Sequence, residues 1–202
     1  MKILWIDTET TGLNVERCDI IQIAGIIVIN GKEQERFNFR CQPTNYDTIE
    51  QQALDTCNLT VEQLHTLPTA QETYSKLKQV LDKYIDRYDK NDKFYLAGQN
   101  VEFDRQFLQS FFEKMGDKYF MSYVRHQTVD LIHLVTLLHS SGCINVANFK
   151  LETIANYLCI EYNKNLHNAE VDIDLTRRCY CKLAAAYIKF HDYQEKQDVK
   201  TN

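Results

Sequence analysis

Two prolines, six glycines and a single tryptophan occur in 202 residues. That scarcity of chain breakers excludes a collagenous or Pro/Gly-rich flexible protein and leaves no obvious interdomain linker. Long apolar runs are also missing. Runs such as Ile26–Ile29 and Ala184–Ile188 fall far below the roughly 20 residues that cross a bilayer, so a soluble chain with no membrane partner is expected. A strand-like run starts near residue 3 and meets Asp7 soon after, so no secretory signal is expected. The seven cysteines, Cys18, Cys41, Cys57, Cys143, Cys159, Cys179 and Cys181, are odd in number and scattered. They suit free thiols in a reducing cytoplasm better than a disulfide framework. Basic residues are in deficit, 23 Lys and Arg against 28 Asp and Glu for a net charge of −5. One use for surplus carboxylates is to hold divalent cations, whose charge reverses the local field.

With 44% apolar and 25% charged residues, the composition is that of a globular protein. The length suits one domain, 1–190, followed by a charged tail, 191–202, that is expected to fray. Lys2–Asp7 and Ile20–Ile29 are rich in β-branched residues and read as strands. Asn30-Gly31 then favours a type I′ turn into Gln34–Cys41, giving an antiparallel meander of three strands. Thr60 and Gln63 have the form of a capping box. Helical spacing marks Thr73–Tyr88, Asn100–Lys114, Ile132–His139, Leu151–Leu158 and Ala169–Phe190, with strand-like segments at Phe94–Ala97 and Gln127–Leu131. Hairpin strands followed by strands that alternate with helices predict an α/β fold, a mixed sheet with helices packed against it.

Three segments carry candidate chemistry. In Asp7-Thr8-Glu9-Thr10-Thr11-Gly12 the two acids are two apart at a strand end and emerge on one side of the backbone. Their repulsion is relieved by a cation, and hard oxygen ligands suit Mg²⁺ or Mn²⁺. Alone, the pattern also fits an acidic strand end running into a turn. In Gly98-Gln99-Asn100-Val101-Glu102-Phe103-Asp104, Asn100 and Asp104 share a helix face just beyond a strand, although a helix cap and a first-turn acid explain them as simply. In His167-Asn168-Ala169-Glu170-Val171-Asp172, five residues of helix turn through about 140°. His167 is therefore expected on the loop or first turn and Asp172 inside the helix.

Together and in this order, DTETTG, N-x-x-F-D and H-x-A-x-x-D resemble the three motifs of the DnaQ-like (DEDDh) 3′→5′ exonucleases, the family of the polymerase III proofreading subunit, RNase T and oligoribonuclease. The resemblance spans Lys2 to about Leu183, and Asn168 stands where the tyrosine branch of the family would need a tyrosine. It implies a ribonuclease H-like fold and two divalent cations, Mg²⁺ or Mn²⁺, about 4 Å apart, held by Asp7, Glu9, Asp104 and Asp172. It also implies His167 as the base that deprotonates water, and Thr8, Thr10, Leu13 and Asn100 as substrate contacts. The expected product is a nucleoside 5′-monophosphate, released from single-stranded DNA or RNA 3′ ends. A role on RNA and a DNA polymerase partner both stay open. Cys57-Asn58 and Gln99 depart from the family's usual His-Gly and His. Glu102, Asp130, Glu170 and Asp174 are left unassigned to metal.

Overall fold

The computed structural model describes the backbone of residues 1–162 and 167–201, and side chains as far as Ile188. Three strands come first: β1 (Lys2–Thr10), β2 (Ile20–Ile29) and β3 (Lys32–Arg40). They pair antiparallel, and the turn between β2 and β3 places Asn30 at φ 50° and Gly31 at φ 80°. Two successive left-handed residues are what a type I′ turn requires, so the Asn-Gly reading holds. A helix over Gln51–Cys57 (α1), absent from the sequence reading, ends on Asn58 at φ 53°. Asn there takes the left-handed conformation that glycine more often supplies.

The helix α2 (Val61–Leu64) opens on the Thr60/Gln63 capping box, and α3 (Ala70–Tyr84) opens on a second one from Thr69 and Glu72. That second cap moves the helix start three residues ahead of the apolar periodicity. Next come β4 (Phe94–Gly98), α4 (Val101–Lys114), β5 (Val124–Asp130), α5 (Leu131–Ser140), α6 (Leu151–Tyr157) and α7 (Ala169–Thr201). The periodicity of α7 ends at Phe190, yet its backbone stays helical to Thr201, since no proline or glycine interrupts 191–201.

The sheet order is β3-β2-β1-β4-β5, with β4 parallel to both β1 and β5. Because β1, β4 and β5 run the same way, their carboxyl ends meet at one edge, where open α/β sheets place ligands. Alternation along β1 divides its side chains between two cores. Leu4 and Ile6 pack with residues of α3 and α4 such as Leu77 and Phe107. Trp5 packs on the other face with Ala169 and Ile173 of α7, and its ring meets Tyr180 edge-on at 5.3 Å. At Gly98 an added Cβ would lie 2.9 Å from the Ile6 carbonyl oxygen. Only glycine lets the end of β4 approach β1 so closely beside Asp7.

Candidate metal and nuclease site

The strand period of two decides which acids meet. Asp7 and Glu9 continue the Trp5 face of β1 and point toward α7. Asp172 lies in the first turn of that helix. One carboxylate oxygen from each of Asp7, Glu9 and Asp172 lies within 4.8 Å of the others. Asp104 comes from α4 on the opposite face and is buried, with Oδ1 accepting the Thr8 hydroxyl at 2.8 Å. It stands outside the trio, but its charge is felt there. Burial, then Asp104, Glu9 and Asp172, push the Asp7 carboxyl well above its usual range. Burial likewise raises Glu9 and Asp172, opposed at Glu9 by a thiol hydrogen bond from Cys57 and at Asp172 by the His167 backbone N–H.

Carboxylates crowded in a half-buried site cost free energy unless a cation neutralises them. A second observation agrees with a cation site: Asp172 Oδ1 is buried and has no hydrogen-bond partner among the described residues. The donors are all hard oxygens, the chemistry that Mg²⁺ and Mn²⁺ prefer.

His167 sits on the bend before α7, exposed, at φ 67°. Its backbone N–H donates to Asp172 Oδ2 at 2.9 Å, which ties the histidine to an acid of the cluster through the main chain rather than through the imidazole. Asn168 caps the helix by accepting the Glu170 N–H, and it also accepts Gln22 Nε2 at 3.2 Å. Since Gln22 is the cross-strand partner of Glu9, this amide fixes the start of α7 on the sheet beside the acids.

The proposed substrate contacts divide. Leu13 is exposed and, with Thr8, Thr10, Cys57 and Phe103, lines a cleft of about 270 Å³ next to Glu9. The two threonine hydroxyls are engaged within the protein, Thr8 to Asp104 and Thr10 to the Gly12 carbonyl at 2.7 Å. Asn100 is exposed at φ 57° and makes no side-chain cap to α4.

Asp130 shows why a nearby acid need not be a metal ligand. Its buried carboxylate accepts the backbone N–H groups of Asn100 at 3.1 Å, Val101 at 3.0 Å and Ile132 at 2.8 Å. It thereby clamps the start of α4 to α5. Glu102 pairs with Arg105, Asp174 with Arg36, and Glu170 accepts from Asn38. The Cys57–Glu9 contact at 3.2 Å was not foreseen, because 48 residues separate the partners and α1, which delivers the thiol, was missed.

A family model described as exonuclease, RNase T, matches residues 4–180. The chain belongs to this exonuclease family. The DNA polymerase III PolC-type protein of Halalkalibacterium halodurans is 23% identical to this chain over 189 residues, which cover 92% of this chain and 12% of that protein. The PolC-type protein of Bacillus cereus is 23% identical over 190 residues, with the same coverage of 92% and 12%. The chain thus spans a small part of these relatives' length.

Among solved structures, a zinc-bound E. coli ExoI–ssDNA complex superposes with a TM-score of 0.76 at 19% identity, covering 95% of this chain and 42% of that one. E. coli exonuclease I with a 5cy-dA13 oligonucleotide gives 0.74 at 18% identity, with coverage of 95% and 42%. The fold is the ribonuclease H-like mixed sheet expected from the sequence. Among the described residues, no helix is long and apolar enough to cross a membrane.

Proposed function

We propose that this exonuclease removes nucleotides one at a time from the 3′ end of single-stranded nucleic acid, releasing nucleoside 5′-monophosphates. The observation that carries the reading is the approach of Asp7, Glu9 and Asp172 to within 4.8 Å of one another, with Asp104 close enough to raise the Asp7 carboxyl. Together the four acids would hold two divalent cations, which supply positive charge to neutralise the phosphodiester and its departing oxygen.

The chain's own groups then do the following. His167 accepts a proton from the attacking water, whose oxygen bonds to phosphorus as the bond to the 3′ oxygen of the preceding nucleotide breaks. Its place on a short tether to Asp172 keeps the imidazole beside the acids. Thr8 holds Asp104 in place through its hydroxyl. Leu13 and Phe103 offer apolar surface for the terminal base and sugar in the cleft beside Glu9, and the exposed Asn100, which does not cap α4, would donate to the strand. The ssDNA and the 5cy-dA13 oligonucleotide named with the similar E. coli structures support a single-stranded substrate. PolC-type relatives support a role alongside a DNA polymerase.

The experiment is digestion of matched 5′-labelled DNA and RNA oligonucleotides with Mg²⁺ or Mn²⁺. A ladder of progressively shorter labelled products is expected, and faster loss of one strand type assigns the sugar preference. Immediate release of a labelled mononucleotide would show the opposite polarity and end the proposal.

A further inference from the structure

The exposed face of β3 carries Arg36, Asn38 and Arg40 in a row, spaced two apart. The acids of α7 engage the first two: Asp174 pairs with Arg36 at 2.8 Å, and Glu170 accepts from Asn38 at 2.7 Å. Arg40 is exposed and has no ion pair among the described residues. Its position is set by register. Arg40 lies opposite Gln22, and Gln22 lies opposite Glu9, so the three residues share a sheet face with two strand spacings, about 10 Å, between the outer Cα atoms. An arginine side chain can bridge much of that gap, and the Arg40 charge is felt at both Glu9 and Cys57.

Beyond Arg40 the edge of the sheet opens into a cleft of about 290 Å³ lined by Asn38, Arg40, Thr73 and Lys76. Lys76 is also exposed and without an ion pair among the described residues. The Thr73 hydroxyl donates to the Arg40 carbonyl at 3.0 Å, which holds α3 against this strand. Two cations that form no ion pair among the described residues thus line one cleft at the β3 edge, with Arg40 two strand spacings from Glu9.

We propose that Arg40, with Lys76 behind it, forms a phosphate-binding path that receives the backbone of the substrate strand beyond the terminal nucleotide, leaving the site over the β3 edge. This rests on the exonuclease reading above and extends it to substrate affinity. Phosphate contacts of this kind are independent of base sequence and weaken with salt.

The test measures binding of a 5′-fluorescein-labelled oligothymidylate by anisotropy over a series of salt concentrations. An Asp7→Ala background keeps the strand whole. Adding Arg40→Gln is expected to weaken binding about ten-fold at low salt and to reduce the slope of log Kd against log salt by about one. Arg40→Lys is expected to restore most of the slope, and Lys76→Gln to give a smaller effect of the same sign. Equal affinities and slopes with and without Arg40, or no binding in either protein, would overturn the proposal. Binding is read here without turnover, so a wild-type chain that binds but fails to hydrolyse the strand would count against the exonuclease reading and leave the Arg40 result standing.

Discussion

His167 and Asp172 are joined through the main chain: the His167 backbone N–H donates to Asp172 Oδ2 at 2.9 Å, while Oδ1 of the same carboxylate is buried without a partner among the described residues. One oxygen of this acid thus holds the His167 backbone, and the other would be available to a cation in the proposed reading. Because the bond uses the backbone, exchanging the side chain leaves it in place.

His167→Asn is the informative substitution, since asparagine tolerates the left-handed φ of 67°. Turnover is expected to fall about 10²–10⁴-fold, the usual contribution of a general base, while Mn²⁺ affinity changes little. Steady-state rates and calorimetric metal titration on the same preparation check both halves, and unchanged turnover would remove His167 as the base.

The acid cluster gives the metal-free protein a pH dependence of defined sign. Burial raises Asp7, Glu9 and Asp172, and pushes Asp104 up to about 7. An acid whose folded pKa lies above its unfolded value contributes stability that is fully present below the unfolded value, near 4 for these groups, and is lost as pH rises through the folded one. The chelator-treated protein is thus expected to melt at a higher temperature at pH 5.5 than at pH 8. Adding Mg²⁺ should raise Tm more at pH 8, above the Asp104 value of about 7, because the cation binds the charged form. Scanning calorimetry at the two pH values reads this directly, and a melting temperature that rises with pH in chelator would contradict it.

Cys57 offers a check on the geometry beside Glu9. Burial and the neighbouring carboxylate push its thiol up to about 12, so almost none is thiolate near neutrality. Iodoacetamide at pH 8 is expected to alkylate the exposed Cys143, Cys159 and Cys181 well before Cys57, as peptide mass spectrometry would show. Equal rates would mean that the thiol does not donate to Glu9.

Asp130 is expected to matter to the fold while binding no metal. Asp130→Ala strands three backbone N–H groups that now reach a charged acceptor. A loss of roughly 3 kcal/mol or more in unfolding free energy is expected, since bonds to charged groups contribute about 1.5–3 kcal/mol each. Urea denaturation measures it, and a change below about 1 kcal/mol would show that the clamp contributes little.

How far the sequence led depended on whether a feature was local. The hairpin at Asn30-Gly31, the cap at Thr60 and the bend at His167 are set by a few adjacent residues, and each lies where its chemistry placed it. The pairing of Asp7 with Glu9 follows from the strand period alone. Asp104 was less legible. Its helical spacing from Asn100 did not tell that α4 packs on the opposite face of the sheet, where Thr8 takes its Oδ1. The roles of Gln22, Cys57 and Arg40 were hidden for a related reason, as each depends on cross-strand register or on a helix from elsewhere in the chain. Thr8 and Thr10, singled out as substrate contacts, have hydroxyls directed into the protein.

The most direct test of the carboxylate cluster is a Mn²⁺ titration followed by electron paramagnetic resonance, comparing the wild-type chain with Asp7→Ala. Two bound ions per chain with mutual magnetic coupling are expected in the wild type, and loss of the coupled pair in the variant. Identical Mn²⁺ stoichiometry and spectra in the two proteins would contradict the assignment of Asp7, Glu9, Asp104 and Asp172 as the cation cage.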